Sequence, residues 1–317
     1  MILNKKLEGI FNSKIQAINL NQNYWLQGLN GSALSFFIQS LYLTHKKNCV
    51  IIASDKEKAA YLLNDLETLL PQEKILFFPE SYRQPYQIEK TTNANIQERA
   101  EVLSLLSKEN FTGIVITYPQ ALAEQVTLKQ KLQQNTLQIK KGEKLSIDFI
   151  SEFLLSYDFE HVDFVFEPGQ FSIRGGIIDI FSFANEFPYR IELFGNEVEA
   201  IKTFDPADQL SNAKFDFVTI IPNINSKIFT EEKVLLLNYF GNHSSFLFFE
   251  DAQYSIDVFD KKFDAATKAY QQYSGEVKQI EPEKLYSKSE DLKEQLKKFT
   301  SFEFGIRSIL SLSLIHI

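Results

Sequence analysis

The turn Gly28-Leu-Asn-Gly-Ser-Ala-Leu-Ser35 lies between a strand-like run and a helical one, the place where a phosphate-binding loop would sit. Such a loop reads GxxxxGK[ST]: glycines let backbone amides wrap the phosphates, and the lysine neutralises their charge. Here Gly28 and Gly31 are present, but Ala33 fills the second glycine slot of the motif, Leu34 the lysine slot and Ser35 the hydroxyl slot. An isobutyl group in place of an ammonium removes the cation, so a triphosphate would face apolar surface and tight ATP binding is not expected. Taken alone, the octapeptide reads best as an ordinary glycine-rich strand-to-helix turn.

Other chemistry-bearing residues are scattered. His45, His161, His243 and His316 lie far apart, and none has a second ligand at zinc spacing. Asp163 with Glu167, and Asp205 with Asp208, fall near turns, where carboxylates usually cap backbone amides. Cys49, the single cysteine, sits in an apolar run and reads as an inert core residue; it excludes an intramolecular disulfide framework and a cysteine-rich zinc site. No GxSxG elbow, catalytic Cys-His signature or Walker B-type acid in a helicase context is evident. No catalytic residue, metal or cofactor is expected.

The elements that must position these residues change character along the chain. Up to about Val126, apolar runs alternate with helical patterns, as in a parallel sheet covered by helices. Strands are expected at Tyr24–Gly28, Cys49–Ala53, Ile75–Phe78 and Gly113–Thr117; helices at Ser32–Leu43, Lys56–Leu70 (capped by Ser54 or Asp55), Asn95–Ser107 and after Pro119. From about Thr127 a polar stretch leads to a helix near Ser146–Leu155. Five short candidate strands follow, Asp163–Phe166, Phe171–Arg174, Ile177–Phe181, Arg190–Phe194 and Glu197–Phe204, separated by turn residues, which implies antiparallel hairpins. After Pro222 come runs at Lys233–Asn238 and Phe246–Glu250 and an amphipathic helix over about Asp257–Gln272.

The 317 residues allow about two domains. With 44% apolar and 23% charged residues the chain should pack a core, which excludes disordered and coiled-coil classes. Thirty-three basic against 41 acidic side chains give a net charge of -8, without the positive field that draws duplex DNA. The N-terminus has no apolar signal-peptide core and no stretch approaches the ~18 apolar residues of a membrane span, so a cytoplasmic protein is expected. The apolar end Ser308–Ile317 has no stop signal and suggests a fragment or a non-native tail.

One string is long and specific: Glu167-Pro-Gly-Gln-Phe-Ser-Ile-Arg-Gly-Gly-Ile-Ile-Asp-Ile-Phe181, then Pro188-Tyr-Arg-Ile-Glu-Leu-Phe-Gly-Asn-Glu197 and Phe204-Asp-Pro206. It resembles the second domain shared by the nucleotide-excision-repair protein UvrB and the transcription-repair-coupling factors, known as Mfd. Phe78-Pro-Glu80, Pro85-Tyr86 and Gln97-Glu-Arg99 look like the coupling-factor version of the first domain, and the loss of the P-loop lysine at Leu34 favours the same branch. The resemblance implies an α/β fold with a degenerate P-loop (RecA/helicase-like, UvrB-like) parallel-sheet core and an inserted α+β antiparallel-sheet domain. Residues 1–126 would form domain 1a, 127–222 the UvrA-binding domain, and 223–317 domain 1b completing the core. It further implies no ATPase in this region, UvrA as partner, and RNA polymerase and DNA as partners of later domains. Binding in the family depends on an arginine in the RGG turn, one opening the RIELF-type strand, and an aromatic at its end, here Arg174, Arg190 and Phe194.

Strand geometry agrees with that carry-over. Arg190, Glu192 and Phe194 share one face while Ile191 and Leu193 point to the core. Arginine with an aromatic is interface composition, and Arg174 at its turn could reach a carboxylate over the same surface. The plain alternative is a solvated Arg190–Glu192 pair with Phe194 on a sheet edge. From Lys131 to Pro222, 8 basic side chains stand against 15 acidic ones, a net of -7, so the arginines fit a protein interface better than a nucleic-acid backbone. An active UvrB-like NTPase or helicase subunit and a DNA-damage-binding module are the competing classes.

Overall fold

The computed structural model describes residues 15–16, 18–20, 22–29, 31–81, 93–222, 232–241, 245–272, 280–305 and 313–316. Pro85, Tyr86, His243, residues 308–312 and Ile317, for which expectations were stated above, lie outside the described residues. The chain divides into two compact units, one comprising Met1–Lys90, Lys108–Val126 and Val234–Ile317, the other Thr91–Ser107 and Thr127–Lys233.

The first unit is an α/β layer on a seven-stranded sheet. Across it the strands run in the order Ser313–His316, Tyr24–Gln27, Thr300–Glu303, Ser245–Phe249, Asn48–Ile52, Ile114–Thr117 and Ile75–Phe77, and every neighbouring pair is parallel. Continuous apolar runs such as Cys49–Ile52 and Phe246–Phe249 are buried along their length because helices cover a parallel sheet on both faces. Rings stack through its middle: Phe302 lies 5.4 Å from Tyr24 and 4.9 Å from Phe248 between ring centroids. The helix Lys56–Leu69 starts where Asp55 accepts the Lys58 amide at 2.8 Å. The helix Ala33–His45 ends on Lys46 in a left-handed conformation. The parallel α/β core expected from the alternating pattern is therefore present. The strands Thr300–Glu303 and Ser313–His316, absent from the sequence expectations, flank Tyr24–Gln27.

The second unit is built on a six-stranded sheet: β1 (Glu160–His161), β2 (Gln170–Arg174), β3 (Ile177–Ile180), β4 (Tyr189–Phe194), β5 (Glu197–Phe204) and β6 (Ser211–Phe215), adjacent in chain order. β1 and β2 run parallel and the rest are antiparallel, the hairpin arrangement the turn residues imply. One face packs Phe171, Ile178, Ile180, Tyr189, Ile191, Val198 and Ile201 against Ile150 and Leu154 of the helix Ile147–Ser156. That helix is capped by Ser146, whose hydroxyl accepts the Phe149 amide at 3.4 Å. A separate pair, Leu137–Lys140 with Phe217–Ile220, adds Ile139, Val218 and Ile220 to the same core. The helix Asn93–Ser107 belongs to this unit.

One expected strand is not formed. Asp163–Phe166 has the apolar, aromatic look of a strand, but the pairing stops at His161 and the following residues form a loop. Side chains take over the work of a ladder. The Gln170 amide oxygen accepts the Phe166 and Glu167 amides at 2.9 and 3.1 Å, and the Ser172 hydroxyl donates to the Asp163 carbonyl at 2.9 Å.

Candidate functional site

The face of the six-stranded sheet turned away from the main core carries the residues singled out in the sequence. Its geometry follows from register. Arg190 on β4 stands opposite Asp179 on β3 and Lys202 on β5, and Asp179 stands opposite Ser172 on β2. In the next row Arg174, Ile177 and Glu192 oppose one another. Ile191 is fully buried and Leu193 packs against the main core, whereas Phe194 leaves 81% of its surface exposed. The expected alternation along Arg190–Phe194 is what the strand shows.

The turn that sets this row is Gly175-Gly176. Gly175 has φ +60°, a left-handed backbone that side chains disfavour. At Gly176 a Cβ would stand 2.8 Å from the Leu193 carbonyl oxygen, and that close approach lets the Leu193 amide donate to the Gly176 carbonyl at 2.7 Å. Two glycines thus clamp the β2–β3 turn against β4.

Two guanidinium groups converge on one carboxylate. Asp179 is completely buried. Arg190 donates to it twice, Nε to Oδ1 at 2.8 Å and one terminal nitrogen to Oδ2 at 2.9 Å, while Arg174 donates to Oδ2 at 2.5 Å. Such charge-assisted, partly bidentate contacts are what a buried carboxylate requires. Arg190 is further held by Gln209, through the backbone carbonyl at 3.2 Å and the side-chain oxygen at 3.1 Å, and lies 4.2 Å over the Phe204 ring. Hydrogen bonding to Asp179 raises its pKa further above the ordinary arginine value. Arg174 donates to the Asp163 carbonyl at 2.7 Å and stacks 4.8 Å over Phe164.

Two expectations are refined here. Arg190 does not pair with Glu192; that carboxylate binds Lys202 at 2.6 Å, so of two cations facing each other across strands, Arg190 meets the acid directly opposite on β3 and Lys202 a diagonal one on β4. Nor is the whole face open. Val162 and Val165 from the loop pack with Phe181 and Phe204 into a small second cluster that covers its Arg190 end. Asp179 was missed in the sequence because it lies in the apolar run Ile177–Phe181. The signal was available: an acid in a buried strand needs a cation, and the next hairpin strand offers Arg190.

What remains exposed is Phe194, Phe164 at 53%, Phe166, Ile177 and the partly exposed Arg174. Aromatic rings and an arginine set in an acidic unit are suited to gripping a protein, and the surrounding charge disfavours phosphate backbones.

The phosphate-loop look-alike lies in the first unit. Gly28 and Gly31 have φ +89° and +57°, so the turn keeps the left-handed backbone of a glycine-rich loop. Leu34 is buried, as is Ser35, whose hydroxyl donates to Asp65 at 2.9 Å. Ala33 opens the helix, and its cap Ser32 makes no side-chain capping bond. Acids at the carboxyl edge of the sheet are also committed to the fold: Glu250 accepts the Ser54 amide at 2.8 Å and pairs with Lys58, and Glu303 accepts the Ala252 amide at 3.0 Å. Asp205 and Asp208 accept the Ala207 and Leu210 amides, both at 2.8 Å, as turn caps. Burial pushes the Cys49 thiol pKa well up. Among the described residues no cluster of histidine, cysteine and acids could hold a metal, and no helix is long and apolar enough to cross a membrane.

Together these features define an α/β parallel-sheet unit and an antiparallel-sheet unit that leaves Phe194, Phe164 and part of Arg174 exposed on its outer face. Residues 137–225 match the UvrB interaction domain family, a span that includes most of the second unit. The transcription-repair-coupling factor of Bacillus subtilis (strain 168) is 31% identical over 208 residues, covering 66% of this chain and 18% of that protein. That of Escherichia coli (strain K12) is 26% identical over 194 residues, 61% of this chain and 17% of that protein. UvrABC system protein B of Treponema denticola is 25% identical over 209 residues, 62% and 31% respectively. The chain thus spans less than a third of each of these relatives, and it resembles the N-terminal UvrB-like region of the transcription-repair-coupling factors.

Proposed function

We propose that this chain is the N-terminal module of a transcription-repair-coupling factor and that the open face of its antiparallel sheet docks UvrA, recruiting it to stalled RNA polymerase. The observation that carries the reading is the match of residues 137–225 to the UvrB interaction domain, because that span contains Arg174, Arg190 and Phe194 on one sheet face. Phe194 supplies the apolar anchor and Arg174 the partly exposed cation. The acidic surroundings select a partner with basic residues near the contact.

The parallel unit is read as a RecA-like core with a degenerate P-loop that has lost nucleotide chemistry. Its supports are Leu34 in the lysine position and a Ser35 hydroxyl already engaged by Asp65. The polypeptide is divided in this reading into 1–126, 127–222 and 223–317, with polymerase and DNA contacts left to domains beyond those represented here, and with a cytoplasmic location.

Titration of purified UvrA with this chain tests the proposal, with Phe194→Ala and Arg174→Ala alongside. Saturable binding weakened about 30-fold by either variant supports docking through this face, the loss expected of an interface hot spot. Wild-type affinity in both variants overturns it. ATP turnover by the isolated chain, with or without DNA, would overturn the non-catalytic part.

A further inference from the structure

The two arginines that the family resemblance treats alike are held differently. An arginine has five N–H donors. Arg190 uses four of them within the chain, two on Asp179 and two on Gln209, and its ring-side face is occupied by Phe204. Its side chain is only 15% exposed. Arg174 spends two donors, on Asp179 and the Asp163 carbonyl, which leaves three without an acceptor among the described residues, and its side chain is 35% exposed. Among the described residues, Asp179 is the one group that both guanidiniums share.

We infer that Asp179 is a positioning residue: a buried carboxylate, braced by Arg190, that fixes Arg174 against Phe164 and so sets the direction of the donors offered to the partner. The inference rests on the docking reading above and deepens it. With the carboxylate in place, Arg174 is tied at one edge by Asp179, at another by the Asp163 carbonyl and on one face by the Phe164 ring, so little side-chain freedom remains to be lost on association. Without it, a long side chain swings free, and its loss of order on binding must be met from the contact itself. Arg190 then acts through Asp179 and touches the partner little. Phe164, exposed and stacked with Arg174, becomes part of the contacted surface.

The test is a UvrA titration of the whole chain carrying Asp179→Asn, Arg174→Ala, both together, and Phe194→Ala, with a thermal melt of each. Asp179→Asn is expected to weaken binding tenfold or more. In the Arg174→Ala background the same change should add less than threefold, because the side chain it positions is already gone. A purely structural role would instead weaken both backgrounds equally, in step with the melting temperature. Wild-type affinity in Asp179→Asn while Phe194→Ala is weakened overturns the inference and leaves the docking reading standing. Wild-type affinity in Phe194→Ala and Arg174→Ala alike removes that reading, and the inference falls with it. If Asp179→Asn does not fold, Asp179→Asn with Arg190→Gln restores neutrality inside the sheet. That pair should still bind at least tenfold more weakly, and wild-type affinity in it overturns the inference.

Discussion

Truncating Phe194 and truncating Ile191, three residues apart on one strand, should have opposite consequences. Phe194 leaves 81% of its surface in water. Its removal therefore takes away little packing, and the free chain should change by no more than about 0.5 kcal/mol, as surface substitutions usually do. Ile191 is fully buried among Ile178, Val198 and Ile201, so Ile191→Ala should cost about 2–5 kcal/mol of stability through lost transfer energy and a cavity. Binding reverses the order. A covered phenylalanine buries about 150 Å² or more, which at about 25 cal/mol per Å² is a gross gain near 4 kcal/mol. Ordering the side chain subtracts about 0.5–1.5 kcal/mol. Phe194→Ala should thus weaken UvrA binding by about 2–3 kcal/mol, roughly 30- to 150-fold in Kd. Calorimetric titration gives the affinity and should also show a less negative heat-capacity change, because less apolar surface is covered. A melt of the free chain gives the stability. Phe194→Ala that melts several degrees low while binding normally would mean the ring serves the fold, and the face assignment would be refuted.

Three further outcomes follow from particular contacts. Arg190→Ala leaves Asp179 buried with one guanidinium in place of two and should destabilise the chain by about 3–5 kcal/mol, read by chemical denaturation, the cost of breaking a buried pair. Asp55→Ala should cost about 1 kcal/mol through loss of a helix cap. The Lys58 amide lowers the folded-state pKa of Asp55, so its contribution is present above the ordinary carboxylate value of about 3.9 and is lost as pH falls through the lowered one; the stability difference between wild type and variant should shrink as pH drops below about 4. Leu34→Lys restores the motif's cation at a buried position and should lower stability by about 1–3 kcal/mol without yielding ATP turnover. A coupled-enzyme ATPase assay beside a melt checks both halves.

The sequence was most informative where a local rule and a buried face coincide. Cys49–Ile52 and Ile114–Thr117 are continuous apolar runs, and helix-covered parallel strands have no other way to read. Arg190–Phe194 alternates, with Ile191 buried and Leu193 packed on the core while Phe194 is exposed. Asp55 and Ser146 cap their helices because the rule acts over three residues. Long-range placements were not legible. Thr300–Glu303 pairs beside Tyr24–Gln27 although some 275 residues separate them, and Leu137–Lys140 with Phe217–Ile220 is joined across the whole hairpin series. Asp163–Phe166 misled because aromatic and β-branched residues read as a strand, while the Gln170 and Ser172 side chains that satisfy its backbone act from outside the window.

The candidate site shows the same limit at the level of single side chains. In sequence, Arg174 and Arg190 are two arginines flanking apolar strands, and nothing local separates them. Register does. The β3–β4 pairing puts Arg190 directly opposite Asp179, so its guanidinium is drawn inward; Arg174 lies one row nearer the turn, opposite Ile177, and reaches the same carboxylate only at an angle that leaves its outer donors open. In the proposed docking reading, a substitution at Arg190 consequently mixes loss of fold with loss of contact, one at Arg174 also takes a guanidinium from buried Asp179, and the exposed Phe194 reports most directly on the contact. Equal binding losses for the two arginines therefore do not imply equal roles, and only the stability of the free chain separates the brace from the hand it steadies.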